Sequence, residues 1–274
     1  MSRSVARGLD ALIGAAILPL NRTRRAMTVA RLMERLDTRS TQVIQTSRGP
    51  LTVLPQRGPH LAAAALGFDS EEPETLAWID TIQGGETLWD IGAATGLLSM
   101  YAALKPEVRI YAFEPKAISF SVLIEHLALN GMGERVFPLC VALSDQTGLT
   151  YLSLTAMAAG SGGNSVAGLP NQFGEFHNVF NQGALAYRID DFRQAFGLAA
   201  PDHVKIDVDG AEGAILRGAP ETLSQVKSVM IEVEGENAAE AATRIEAPLF
   251  AAGLVEDQQV RTSGSRRNRL YRRP

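Results

Sequence analysis

The chain has one cysteine, Cys140, in 274 residues. A single thiol excludes an internal disulfide framework and a cysteine-based metal cluster, and it suits a reducing compartment. A cytoplasmic location is the expectation. Cys140 lies in the apolar run 136–143 and is expected in the core. No apolar run approaches the length of a membrane span. Residues 11–20 are too short, and no small-x-small cleavage site follows them, so an amphipathic N-terminal helix is expected there. No internal repeat is visible.

Charge is present but unevenly placed. The net charge is −4, yet residues 1–48 hold nine Arg against three acids, and residues 261–274 hold six Arg and no acid. The stretch between them carries 11 basic and 27 acidic residues. Basic ends of this kind pair with the acidic body, meet a second subunit in a homo-oligomer, or make peripheral contact with an anionic membrane surface. The acidic body argues against nucleic acid as a partner.

The centre of the pattern is 86–101, ETLWDIGAATGLLSMY. An apolar run (Leu88, Trp89, Ile91) enters a turn holding Gly92, Ala93 and Gly96, and a helical pattern follows. Glycines permit close backbone approach, and a new helix offers free N–H groups. The dinucleotide fingerprint G-x-G-x-x-G is not met, because no glycine occupies the middle position. Asp90, just before the first glycine, would repel a pyrophosphate. It suits a ligand bearing a cationic amine or sulfonium, and S-adenosylmethionine has both. The next apolar run, 108–113, ends in Glu114. Asp90 and Glu114 are therefore expected at the carboxyl ends of adjacent parallel strands, where an acid can accept ribose hydroxyls.

Strands are expected at 86–91, 108–113, 136–143, 149–154, 203–208 and 228–233, with helices between most of them. Two further strands, 254–260 and 267–272, close the chain as an antiparallel edge. This alternation predicts an α/β, mostly parallel sheet covered on both faces. Ahead of it, Met27, Ala30, Met33 and Leu36 recur at helical spacing, 41–54 reads as a hairpin around Arg48-Gly49-Pro50, and 72–82 reads as a helix. The expected division is a helical and hairpin extension, 1–60, and a body, 61–274. Residues 156–184, rich in Gly, Asn and Ser, are expected to form a lid loop.

These motifs resemble the FkbM-like family of S-adenosylmethionine-dependent methyltransferases. The resemblance rests on WDIGAATG (89–96), YAFEP (111–115), LALNG (127–131), ALSD (142–145), the Gly-Asn-Ser at 163–165, RIDDF (188–192) and VKIDVDGAEGAILRGA (204–219). It covers about 71–234. The family typically has Glu where this chain has Asp209. The resemblance implies a Rossmann-like, seven-stranded class I methyltransferase fold. It implies S-adenosyl-L-methionine held by Asp90, Gly92, Ala93, Gly96, Glu114 and Asp207, with Asp145 near the adenine.

Methyl transfer from a sulfonium needs alignment, exclusion of water and, for a hydroxyl acceptor, removal of a proton. Asp207, Asp209 and His177 are the candidate bases; His203 reads as structural. Asp207 and Asp209 alternate along a strand end and would face opposite ways unless the chain turns at Gly210. Asp190, Asp207 and Glu232 are oxygen-ligand types suited to Mg²⁺, but no spacing demands a metal. The expected reaction is O-methylation of a hydroxyl on a sugar, glycolipid or secondary metabolite. N-methylation and a non-catalytic donor-binding scaffold are the alternatives.

Overall fold

The computed structural model describes every residue except Met1, 167–177, 234–237 and 263. It divides into two compact units, Met1–Gln42 and Val43–Pro274. The first holds two helices, Ser2–Ile17 and Arg22–Arg39. Between them Asn21 caps the second helix, its Oδ1 accepting the Arg24 N–H at 2.9 Å. Leu12, Leu18, Met27 and Met33 are exposed. No helix of the described residues is long and apolar enough to cross a membrane.

The larger unit is built on β3 (Thr87–Ile91), β4 (Arg109–Phe113), β5 (Val136–Leu139), β10 (His203–Ile206), β11 (Ser228–Glu232), β12 (Val255–Glu256) and β13 (Asn268–Arg272); the numbering counts the hairpin strands β1 (Gln42–Thr46) and β2 (Gly49–Val53) first. These seven lie in the order β12-β13-β11-β10-β3-β4-β5. The five strands from β11 to β5 are parallel, and β13 and β12 add the antiparallel edge. This is the Rossmann-like class I arrangement expected. Alternation sorts the side chains: Leu88 and Ile110 enter the core on one face, Trp89, Ile91 and Phe113 on the other. Burying each such large side chain contributes about 1.5–3 kcal/mol.

Register sets the site. Ile206, Ile91 and Phe113 are partners at the tips of β10, β3 and β4. Beyond them the backbone stays tied: Asp207 N–H donates to Ile91 O at 3.0 Å, and Gly92 and Ala93 both donate to Phe113 O. Asp207, Gly92 and Glu114 thus leave the sheet side by side.

Three parts differ from the expectation. Residues 136–143 are two strands, β5 and β6 (Ala142–Leu143), which enter different sheets. Cys140 lies at the break and is exposed rather than in the core, its Sγ donating to Pro115 O at 3.6 Å. The stretch expected as one loop contains β8 (Ser165–Val166) and the start of β9 (Phe180–Tyr187). Both pair antiparallel with β7 (Gly148–Leu154) in a second sheet ordered β6-β9-β7-β8. A helix, Pro59–Glu71, occupies a region without a clear sequence pattern.

Candidate active site

Outside the level tips of β10, β3 and β4 lies a cleft of two lobes, both bordered by Gly92, Ala94, Gly160 and Asp207. The larger lobe, about 240 Å³, contains Glu114, Lys116, Asn164 and Asp209 against an apolar wall that includes Val141, Leu143 and Leu152. The smaller, about 170 Å³, contains Glu72, Asp90 and Lys205.

Glu114 is buried and oriented by its neighbours. Oε2 accepts the Ala94 N–H at 2.8 Å and Oε1 the Lys116 N–H at 2.7 Å. Burial pushes its carboxyl up to about 7, against those two backbone hydrogen bonds and the Lys116 charge. A carboxylate has about four lone-pair directions, so two remain for a ligand.

The glycines of the turn are also required by packing. Gly92 has φ +85°, and a Cβ there would lie 1.8 Å from Asp207 O. Gly96 has φ +86°, and a Cβ would lie 2.2 Å from Leu123 Cδ1. Both positions require left-handed backbone and leave no space for a side chain, because β10 and the helix Ala117–Leu129 pack against them. His126 on that helix fixes the turn: one ring nitrogen meets Thr95 O at 2.7 Å, and the other accepts the Leu54 N–H at 3.0 Å. Burial lowers its pKa, favouring the neutral ring this pattern needs.

Asp90 is 1% exposed. Its Oδ2 accepts from Ser99 Oγ at 2.6 Å, while Oδ1 is buried and has no hydrogen-bond partner among the described residues. Register places Lys205 opposite Asp90. Lys205 Nζ is 2.9 Å from Asp207 Oδ2 and 3.9 Å from Asp90 Oδ1. Burial opposes the ammonium, but Asp207, Asp90 and Glu72 around it raise its pKa. Burial likewise opposes the Asp207 charge, yet Lys205 holds that carboxyl below the usual range, with Glu232 adding a hydrogen bond. Asp90 itself is raised by burial.

Asp207 and Asp209 both reach the cleft. The strand ends at Ile206, and Asp209 adopts φ +61° with Gly210 at +114°, so the chain turns early and simple alternation does not apply. Asp tolerates the left-handed region better than most residues. Asp209 Oδ2 accepts the Gly163 N–H at 2.7 Å, and the Asn164 N–H also donates to this carboxylate. Burial and then Asp207 push it up to about 6. Asp209 is not the cap of the following helix; Glu212 Oε1 instead accepts from the Gly210 and Val208 N–H groups.

Other candidates fall elsewhere. Asp145 does not line the cleft; its Oδ2 takes Arg217 Nη2 at 2.8 Å. Asp190 holds the Pro220–Leu223 turn by accepting from the Glu221 and Thr222 N–H groups, so it is not gathered with Asp207 and Glu232. His203 is structural, between Ser228 Oγ at 2.7 Å and Glu86 at 3.0 Å. His177 lies outside the described residues. Lys116, Lys205 and Asn164 carry the site without having been assigned roles from sequence. Asn164 sits in the quoted Gly-Asn-Ser, and its buried Oδ1 lacks a partner among the described residues.

A family model, the methyltransferase FkbM domain, matches residues 90–258, from Asp90 through the whole cleft turn of β10. The chain belongs to the FkbM methyltransferase family. S-adenosyl-L-methionine is its methyl donor. The chain is 25% identical over 158 residues to the hexuronic acid methyltransferase AglP of Haloferax volcanii, covering 57% of this chain and 59% of that one. It is 31% identical over 168 residues to the methyltransferase sdnD of Sordaria araneosa, covering 52% and 64%. It spans less than two thirds of the length of either relative. The crystal structure of an FkbM methyltransferase from Methylobacillus flagellatus aligns with a TM-score of 0.46 at 15% identity, over 77% of this chain and 53% of that one.

Proposed function

We propose that this FkbM methyltransferase transfers the donor's methyl group to a hydroxyl of a sugar or a related polyol. The observation that carries the reading is Glu114, buried and pinned by the Ala94 and Lys116 amides, with its remaining acceptor directions available to the larger lobe. That arrangement suits the paired hydroxyls of a ribose. The apolar wall at Val141, Leu143 and Leu152 suits a purine, and the unpartnered Asn164 Oδ1 suits a ring or hydroxyl donor. Asp90 Oδ1 in the second lobe, not hydrogen-bonded among the described residues, suits the cationic end of the donor.

The donor supplies an already activated methyl group, so the protein's work is alignment and proton handling. Asp207 borders both lobes, and Lys205 keeps it ionised; it accepts the hydrogen bond of an incoming hydroxyl and orients it. Asp209, at about 6, is better matched to take a proton near neutral pH. The sugar acceptor is supported by the hexuronic acid methyltransferase among the relatives. Calorimetric titration with S-adenosylmethionine, then transfer of isotopically labelled methyl to uronic-acid and neutral glycans, tests the reading. Donor binding with label on a glycan hydroxyl is expected; label on an amine only would overturn the O-methyl assignment.

A further inference from the structure

The smaller lobe contains a second buried carboxylate oxygen without a hydrogen-bond partner among the described residues. Glu72 follows the helix Pro59–Glu71 and precedes the helix Pro73–Thr81, outside the family match at 90–258. Its Oε2 is buried and has no hydrogen-bond partner among the described residues, as is true of Asp90 Oδ1 in the same lobe. These oxygens come from segments 18 positions apart in sequence, and the fold brings both to the rim shared with Asp207. Burying a carboxylate oxygen unpaired is costly, and such a group is retained where a ligand completes it.

The lobe's charge says what kind of ligand. Glu72, Asp90 and Asp207 supply three carboxylates, and Lys205 is the cation between them. Lys205 is committed to Asp207 at 2.9 Å and is too far from Asp90 Oδ1, at 3.9 Å, to hydrogen-bond it. The group missing is a compact donor of several N–H bonds with positive charge, which is an ammonium. Among the described residues no trio of metal-ligating side chains is placed to hold an ion instead.

We propose that Glu72, with Asp90, receives the α-ammonium of the donor's amino-acid tail. Glu72 is thereby a donor-binding residue contributed from ahead of the matched family domain. The assignment rests on the donor reading of the cleft and deepens it: Glu114 holds the nucleoside and Glu72 the tail, with Gly92 and Ala94 between. Burial raises the Glu72 carboxyl, Lys205 opposes that rise, Asp207 adds to it, and the Thr75 hydroxyl and Arg267 lower it by less; an arriving ammonium would add positive charge beside the three carboxylates.

The test compares two ligands on wild type and on Glu72→Gln by calorimetry. S-adenosylhomocysteine carries the tail; 5′-methylthioadenosine keeps the nucleoside and lacks it. Wild type should bind the former more tightly. Glu72→Gln should weaken it by about 10- to 100-fold, as for loss of a charge-assisted hydrogen bond, and leave the latter within about twofold. Unchanged 5′-methylthioadenosine binding also shows that the variant is folded. Equal loss for both ligands, or no loss for either, overturns the assignment. A wild type that prefers neither ligand overturns it while leaving the nucleoside reading intact; a wild type that binds neither overturns both.

Discussion

Glu114 Oε2 accepts the backbone N–H of Ala94 at 2.8 Å, which makes the acid after β4 and the turn after β3 one unit. Replacing it separates two effects. Glu114→Ala removes an acceptor the turn uses and one the ribose would use. Donor affinity should fall by at least ~1.5 kcal/mol, the usual loss for a hydrogen bond to a charged group. Glu114→Gln keeps one acceptor oxygen, so it should lose affinity and cost the turn less than Glu114→Ala. Calorimetry with S-adenosylhomocysteine and thermal melting measure the two effects separately; unchanged affinity in Glu114→Gln would contradict the ribose role.

The same residue predicts a pH dependence. Its carboxyl sits near 7 in the free protein because burial disfavours the charge. Hydroxyl donors from a ligand favour the charged form and would lower it. Donor binding should therefore release protons around pH 7, and affinity should rise with pH up to about 7 and then level. Titration in buffers of different ionisation enthalpy counts the protons. For stability the sign runs the other way. The folded pKa lies above the ordinary value of 4.5, so the folded chain holds more protons between pH 4.5 and 7, and this group's contribution falls as pH rises through that window. The stability of Glu114→Gln relative to wild type should thus rise from pH 4.5 to 7.

Gly92→Ala should be damaging before any ligand is considered. Its Cβ would overlap Asp207 O at 1.8 Å, and φ is +85°. Overpacking and backbone strain each cost about 1–3 kcal/mol, and here they act together. Chemical denaturation should show a loss of more than ~2 kcal/mol. A loss below that size would mean that β3 and β10 are less closely apposed than described.

Lys205→Met should destabilise by about 3 kcal/mol, the low end for breaking a buried pair, because it leaves buried Asp90 and part-buried Asp207 without their cation. Asp207→Asn keeps the shape and an amide oxygen for Lys205, so it should destabilise less than Lys205→Met while lowering turnover. Full activity in Asp207→Asn would remove it from the transfer step.

How much of this was legible in the sequence depends on the distance over which each feature is decided. The strand tips at Ile91 and Phe113, and the acids Asp90 and Glu114 beside them, were readable because an apolar run and a turn are local. Lys205 was not: a Lys inside VKIDV reads as solvated, and only acids from β3, from the turn after β10 and from the helix junction at Glu72 make its burial tolerable. The break at Cys140 was hidden because both halves of 136–143 are apolar, whereas the partners of β6 lie at 186–187. Strand β9, with Gln182 and Gly183 at its centre, lacks the apolar alternation of a strand; its order comes from pairing with β7 and from Gln182 bracing Pro115 O and the Ala117 N–H. The packing that presses on Gly92 and Gly96 was hidden for the same reason, since Asp207 and Leu123 are remote in sequence.

The most direct test is a crystal structure of the chain with S-adenosylhomocysteine. The ribose hydroxyls should lie within hydrogen-bond distance of Glu114, the purine against Val141 and Leu143, and the amino-acid tail in the lobe of Asp90 and Lys205. The nucleoside bound away from Glu114, or tail and purine exchanged between the lobes, would contradict the account.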